Sequence, residues 1–507
     1  MSLPSVVVAT SVHQLLEQSA RARPDHPFLI DGAETSSYAQ VDAAATRAAR
    51  GLVARGVARG DRVGLLAPNS SFYVIAYHAI LKAGAVAVPL NTAAAPEALG
   101  RVLADCEARA LVASPRHAKM LPGITGAAPG VALVVSALAE LDGGGDGALP
   151  AVAESDLAAI IYTSGSTGAP RGAMLSHGNL VANVRSIVEY LALGPDDRMM
   201  AILPFYYVYG ASVLNTHTAV GATVVIENRF AYPNTALDTL ERERCTGFSG
   251  VPSTFTILLN RSNLRERALA DLRYVTQAGG AMSPDTTRRL IEALPGKRIV
   301  VMYGATEASA RLSYLPPEHL ERKLGSIGVP IPGVELRVLR EDRTEAAPGE
   351  VGEIVARGPN IMRGYWGAPE ETARVLDDDG YHTGDLARRD EDGFLFIEGR
   401  KSDMLKIGAH RVAARAIEDA LLAHEAIHEA AVIGVPDEIL GEAPYAFVVP
   451  RDAGAALDVR ALREHLARRL PTYAVPARYE QRAELPKNES GKIMKKQLSP
   501  APAEGDA

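Results

Sequence analysis

Between Tyr162 and Leu180 the sequence YTSGSTGAPRGAMLSHGNL crowds glycines, hydroxyls and one arginine between an apolar run and a helix start. These residue types suit phosphate. Gly165, Gly168 and Gly172 let the backbone turn and approach a ligand closely, Ser164, Ser166 and Thr167 offer donors beside exposed N–H groups, and Arg171 adds a fixed positive charge. No Gly-Lys-Ser/Thr closes the loop, as a P-loop would need, and the spacing is not the GxGxxG of dinucleotide folds. A different architecture must hold it.

The elements that must position this loop are legible around it. Leu157–Tyr162 is apolar enough for a buried strand, and Leu180, Val181, Val184, Ile187, Val188 and Leu191 recur at helical spacing. Elsewhere the short apolar runs Val63–Ala67, Ala222–Ile226, Arg298–Met302 and Val334–Leu339 alternate with helical stretches such as Ser36–Arg55 and Pro284–Leu294, the pattern of α/β layers. Beyond the Asp- and Gly-rich segment Asp377–Phe396 the character changes: Val412–His424 reads as a helix, Ala430–Val435 and Tyr445–Val449 as strands, and Asp458–Leu470 as a helix ended by Pro471. A chain of 507 residues exceeds one core. The expected fold is therefore α/β: a large multi-layer N-terminal domain of β-sheets and helices over residues 1–399, a hinge at 400–403, a small mobile α+β C-terminal lid over 404–498, and a disordered tail at 499–507.

Composition excludes several function classes. A net charge of -7 offers no basic face for nucleic acid. Cys106 and Cys245 are too few for a disulfide framework, which points to a reducing cytoplasm and to buried, unreactive thiols. The N-terminus lacks the basic and apolar segments of a signal peptide, and no run reaches the length of a membrane span.

Further motifs follow the loop in a fixed order: LPFYYVYG at 203–210, AGGA at 278–281, YGATE at 303–307, GEIVARGPNIMRGY at 352–365, YHTGDL at 381–386, GRKSDMLKIGAHRV at 399–412 and PKNESGKI at 486–493. The block at 60–90 precedes it. Together they resemble the adenylate-forming superfamily of acyl-CoA synthetases, peptide-synthetase adenylation domains and luciferases, over almost the whole chain. That resemblance implies two steps, in which a carboxylate and ATP give acyl-adenylate and pyrophosphate, and a thiol then displaces AMP. It implies ATP, Mg2+, and CoA or the phosphopantetheine of a carrier protein as reactants. Thr163 to Gly168 and Arg171, which replaces the usual lysine, would hold phosphate. Lys492 would bridge the carboxylate and α-phosphate, Thr306 would bind the α-phosphate and Glu307 would hold Mg2+. Gly279, Gly280 and Ala281 would wall the adenine, with Tyr303 and Gly304 beside it. Asp385 and Arg400 would take the ribose, and Arg411 would meet phosphate. The lid would turn about Ser402 and present a thiol tunnel at Gly408, where Ala409 replaces a second glycine.

The acyl pocket is bounded, by the same resemblance, by Tyr207, Gly210, Ser249, Val251 and Met282. The absence of an acid in LPFYYVYG argues against an amino acid, and its tyrosines favour an apolar or aryl carboxylic acid. An acyl-CoA ligase is the principal expectation. An enzyme that loads a carrier or stops at acyl-AMP is the alternative, and a nucleotide-binding interaction module that has lost chemistry is a third; a homodimer stays open.

Overall fold

The structure, a computed structural model, describes residues 8–163, 170–408, 410–437, 440–452, 454, 456–487 and 493–500. The chain forms two compact units, Met1–Leu336 with Ala356–Tyr381, and Arg337–Val355 with His382–Ala507.

In the first unit, Leu133–Val135, Ala110–Ala113, Arg62–Leu66, Val86–Pro89 and Leu157–Thr163 run parallel in that spatial order, and Arg171–Ser176 closes the edge antiparallel. Both faces of the parallel strands are covered, so they are continuously apolar rather than alternating. A second sheet sets Pro27–Asp31, Thr223–Ile226, Arg198–Ala201, Gly247–Gly250, Tyr274–Gln277 and Arg298–Tyr303 side by side, again parallel, and then turns antiparallel through Ser313–Leu315 and Ser326–Pro330.

The expected helix after the phosphate loop is His177–Leu191, and Leu180, Val181, Val184, Ile187, Val188 and Leu191 are all buried. Its start is fixed by a reciprocal cap: Asn179 N–H donates to Ser176 Oγ, and Ser176 N–H donates to Asn179 Oδ1. The expected helix from Ser36 begins at Tyr38, because Glu34–Ser37 pairs as a strand with Pro27–Asp31.

Val351–Arg357, Gly380–Arg389 and Leu395–Arg400, most of whose residues belong to the second unit, are neighbouring strands. Met404–Ile407, His410–Ala413, Gly441–Pro450, Ile427–Asp437 and Arg478–Gln481 form another sheet, covered by the helices Ala414–Leu422 and Val459–Ala467. The expected helix from Val412 starts at Ala414, since residues 410–413 pair antiparallel with 404–407. The Asp- and Gly-rich segment is largely strand. The expected tail lies, from residue 501, outside the described residues.

Candidate functional site

Thr163 closes its strand opposite Arg171 in the antiparallel pair. Ser164, Gly165, Ser166, Thr167 and Gly168, which carry the expected donors, lie outside the described residues. Arg171 is held on two sides: its Nε is 2.5 Å from Glu371 Oε2, and its guanidinium carbon is 5.5 Å from the Tyr365 ring centroid. Tyr365 is there because residues 363–366 run along the edge strand. Met174 N–H donates to the Gly364 carbonyl at 2.9 Å, Arg363 N–H to the Met174 carbonyl at 2.9 Å, and Trp366 N–H to the Gly172 carbonyl at 2.8 Å.

From that position the Tyr365 hydroxyl donates to Glu307 Oε1 at 2.7 Å. Burial first, and then the charge of Glu307, push the phenol's pKa above its ordinary value, so it stays a donor at neutral pH. Glu307 stands on the turn Thr306–Ala308, directly after the strand Arg298–Tyr303. The turn is pinned. Met362 N–H donates to the Glu307 carbonyl at 2.7 Å, the Asn360 amide to the Ala308 and Arg311 carbonyls at 3.0 and 2.8 Å, and Ser309 Oγ to the Asn360 carbonyl at 2.7 Å. Among the described residues no cluster of three or more His, Cys, Asp or Glu could cage a metal. One oriented carboxylate fits Mg2+, which takes one or two carboxylates and completes its shell with phosphate oxygens and water.

The strands Gly247–Gly250, Tyr274–Gln277 and Arg298–Tyr303 end side by side, and their carboxyl ends carry Val251, Ala278 to Ala281 and Gly304. Open α/β sheets bind ligands at such ends. Gly279, Gly280 and Ala281 are exposed, and Tyr303, Gly304, Thr306 and Glu307 are half-buried. Gln277 Nε2 donates to the Gly280 carbonyl at 2.7 Å and holds the wall in place. A Cβ on Gly279 would stand 3.1 Å from Val251 Cγ1, so the two exits touch. Gly304 is required sterically: a Cβ there would lie 2.0 Å from the Ala310 carbonyl oxygen.

Of the expected acyl-pocket residues, Tyr207 precedes the helix Val208–Ala219, with its ring 4.6 Å from that of Tyr206. Gly210 lies where a Cβ would meet the Pro204 carbonyl oxygen at 2.1 Å, and Met282 is buried. Ser249 Oγ is 2.7 Å from Thr276 Oγ1, which is 2.9 Å from the Tyr209 hydroxyl. The guanidinium carbon of Arg311 stands 4.0 Å from the Tyr209 ring centroid. Tyr365, Glu371 and Arg311 are not among the residues to which the sequence motifs assign a role. A lone arginine in the run ASARLSYL was the available signal for the last.

In the second unit, Asp385 and Arg400 are cross-strand partners, with Arg400 Nε 3.0 Å from Asp385 Oδ1. Thr383 Oγ1 donates to the Ile354 carbonyl at 2.9 Å and accepts from Asp385 N–H at 3.1 Å, fixing the carboxylate's base. Ser402 lies in the exposed turn Lys401–Asp403. Gly408 has φ +59° in the hairpin between residues 404–407 and 410–413, and Arg411 pairs with Lys406 through the backbone. Ala409, Lys492 and the Arg411 side chain lie outside the described residues. Lys487 pairs with Glu429, and Lys495 with Glu418 at 2.7 Å.

Residues 16–366 match the family described as AMP-binding enzyme, and residues 416–492 match the AMP-binding enzyme C-terminal domain. The feruloyl-CoA synthase of Amycolatopsis sp is 37% identical over 94% of this chain and 96% of its own. ATP-bound MatB from Rhodopseudomonas palustris superposes with a TM-score of 0.88 at 32% identity, covering 96% of this chain and 97% of that one. The o-succinylbenzoate coenzyme A synthetase of Bacillus subtilis, solved with its acyl-adenylate and with ATP and magnesium, superposes at 0.85 with 29% identity over 96% of this chain and 98% of its own. This chain belongs to the AMP-binding enzyme family and is an AMP-forming acid ligase.

Proposed function

We propose that this acid–CoA ligase activates an apolar or aryl carboxylic acid at the carboxyl ends of the parallel strands, with Glu307 as its metal-holding carboxylate. The carrying observation is the Arg171–Tyr365–Glu307 arrangement. A signature arginine, a neutral phenol donor and a half-buried carboxylate are fixed relative to one another by backbone pairing. Mg2+, when bound, neutralises phosphate charge. Thr306 offers a hydroxyl beside Glu307, and Lys492 supplies positive charge where the acid's oxygen attacks the α-phosphorus and the bond to pyrophosphate breaks. Asp385 accepts from the ribose hydroxyls, and Arg400, already paired with it, keeps that carboxylate aimed.

In the second step the CoA sulfur attacks the acyl carbonyl and AMP leaves. Rotation at Ser402 withdraws Lys492 and brings the Gly408 hairpin into use. The left-handed φ of Gly408 is what a tight, side-chain-free loop needs. Transfer to carrier-bound pantetheine is the competing acceptor, motivated by Ala409. Two buried free cysteines suit a reducing cytoplasm: Cys106 and Cys245 are fully enclosed, and burial raises their thiols to about 11 and about 12. Among the described residues no helix is long and apolar enough to cross a membrane.

The test offers medium-chain, aryl and polycyclic acids with ATP and Mg2+, then CoA and phosphopantetheinylated carrier in parallel. Pyrophosphate followed by acyl-CoA is the expected outcome. Acyl-AMP that persists with CoA and is consumed by the carrier would overturn the CoA assignment.

A further inference from the structure

Arg311 is 3% exposed, and no carboxylate among the described residues lies within ion-pairing distance of it. Its Nη1 donates to the Ala310 carbonyl at 2.9 Å, and its Nε to the Met302 sulfur at 3.4 Å. Its other polar neighbours are the uncharged Tyr190 and Tyr209 hydroxyls, which do not balance its charge. A guanidinium taken out of water needs an anion, and the Tyr209 ring face at 4.0 Å offsets that need only in part.

The place of this cation is the acyl side of the site. Tyr209 belongs to the LPFYYVYG segment and bonds through its hydroxyl to Thr276, which bonds to Ser249 in turn. These residues line the strand ends that carry Val251 and Gly279. The backbone is arranged to hold the arginine there. Ala310, immediately before it, has φ +110°, a conformation that side-chain-bearing residues rarely adopt. The Arg311 carbonyl accepts from the amides of Asn183 and Asn360 at 3.1 and 2.8 Å, which over-determines the strained turn. Beside it, Tyr190 stacks on Tyr314 at 4.2 Å and donates to the Met302 sulfur at 2.9 Å, extending an aromatic wall next to the charge.

We propose that Arg311 is a specificity-determining residue that receives a second, distal carboxylate of the acyl substrate, so that the preferred acids are dicarboxylic with an apolar or aryl body. This rests on the acid-activating reading above. The guanidinium fork matches a carboxylate bidentately, and the tyrosines supply the apolar surface along which the body lies. The alternative is an arginine that only braces Tyr209 and the turn.

The experiment measures pyrophosphate release for matched acids: octanoate against suberate, and cinnamate against 4-carboxycinnamate and 4-carbamoylcinnamate. The wild-type enzyme should prefer the diacid of a pair by on the order of 10- to 100-fold in kcat/KM, mostly through KM, the range of a charge-assisted hydrogen bond. Arg311→Met should erase or invert that preference, and Arg311→Lys should keep part of it. Melting temperatures show whether each variant folds, and the wild-type comparison does not depend on them. A wild-type preference for monoacids, a diacid preference that survives Arg311→Met, or an equal loss on both members of each pair would overturn the assignment. Pyrophosphate with monoacids alone would leave the ligase reading intact and remove this one. No pyrophosphate with any acid would remove both.

Discussion

Replacing Tyr365 by Phe removes one hydroxyl and leaves the aromatic face beside Arg171. The hydroxyl lost is the donor 2.7 Å from Glu307 Oε1, and it is the only hydrogen bond to the Glu307 side chain among the described residues. A hydrogen bond to an ionised carboxylate contributes about 1.5–3 kcal/mol. Groups that orient a metal-holding side chain typically change metal affinity or activity by about 10- to 100-fold. The Arg171–Glu371 pair and the backbone pairing of residues 363–366 do not involve the hydroxyl, so the fold should survive. Tyr365→Phe is therefore expected to lower kcat/KM for Mg-ATP by about 10- to 100-fold while the KM for the acid changes little. The assay is pyrophosphate release at saturating acid across a Mg-ATP titration, with a thermal melt as control. An unaltered Mg-ATP dependence, or an equal loss in the acid's KM, would refute the role given to this contact.

Three other expectations concern separate parts of the chain. Lys492→Ala should slow adenylate formation by about a hundredfold or more, as loss of a transition-state donor does, and a variant with near wild-type pyrophosphate release would remove Lys492 from the first step. Ser402→Pro restricts φ at the hinge and should impair acyl-CoA formation far more than pyrophosphate release; equal rates of both steps to wild type would place the pivot elsewhere. Burial lowers His78 and His177 to about 3 in the folded protein, against about 6.5 when unfolded. Between those values the unfolded chain binds protons that the native chain does not, so their contribution is complete above pH 6.5 and is lost as the pH falls toward about 3. The two together give a slope of up to about 2.7 kcal/mol per pH unit, and urea melts should show His78→Leu flattening it. An unchanged slope in that variant would contradict the assignment.

Local signals carried the elements that were legible in advance. The strand Leu157–Thr163 and the helix His177–Leu191 follow from an apolar run and from apolar residues at helical spacing, each within a short stretch of chain. The motif YGATE likewise lies at a strand exit beside a steric glycine. What could not be read depends on partners distant in the chain. Val412 and Ala413 fit a helix by composition, but pairing with Met404 and Leu405 draws them into a strand. Arg171 could be read as a charge near phosphate, whereas its fixing by Tyr365 and Glu371 depends on residues 363–366 adding to an edge strand formed far earlier in the sequence. Arg311 carries no periodic signal. Its burial over Tyr209 follows from a turn whose φ values no propensity scale anticipates.

This chain joins a carboxylic acid to CoA through an acyl-adenylate. The most direct measurement incubates the enzyme with the acid panel, ATP and Mg2+, quantifies pyrophosphate and acyl-AMP, and then adds CoA and follows the thioester by mass. Pyrophosphate matched to acid consumed is expected, followed by conversion of acyl-AMP to acyl-CoA with release of AMP. ATP turnover that yields ADP, or no acid-dependent pyrophosphate across the panel, would contradict it.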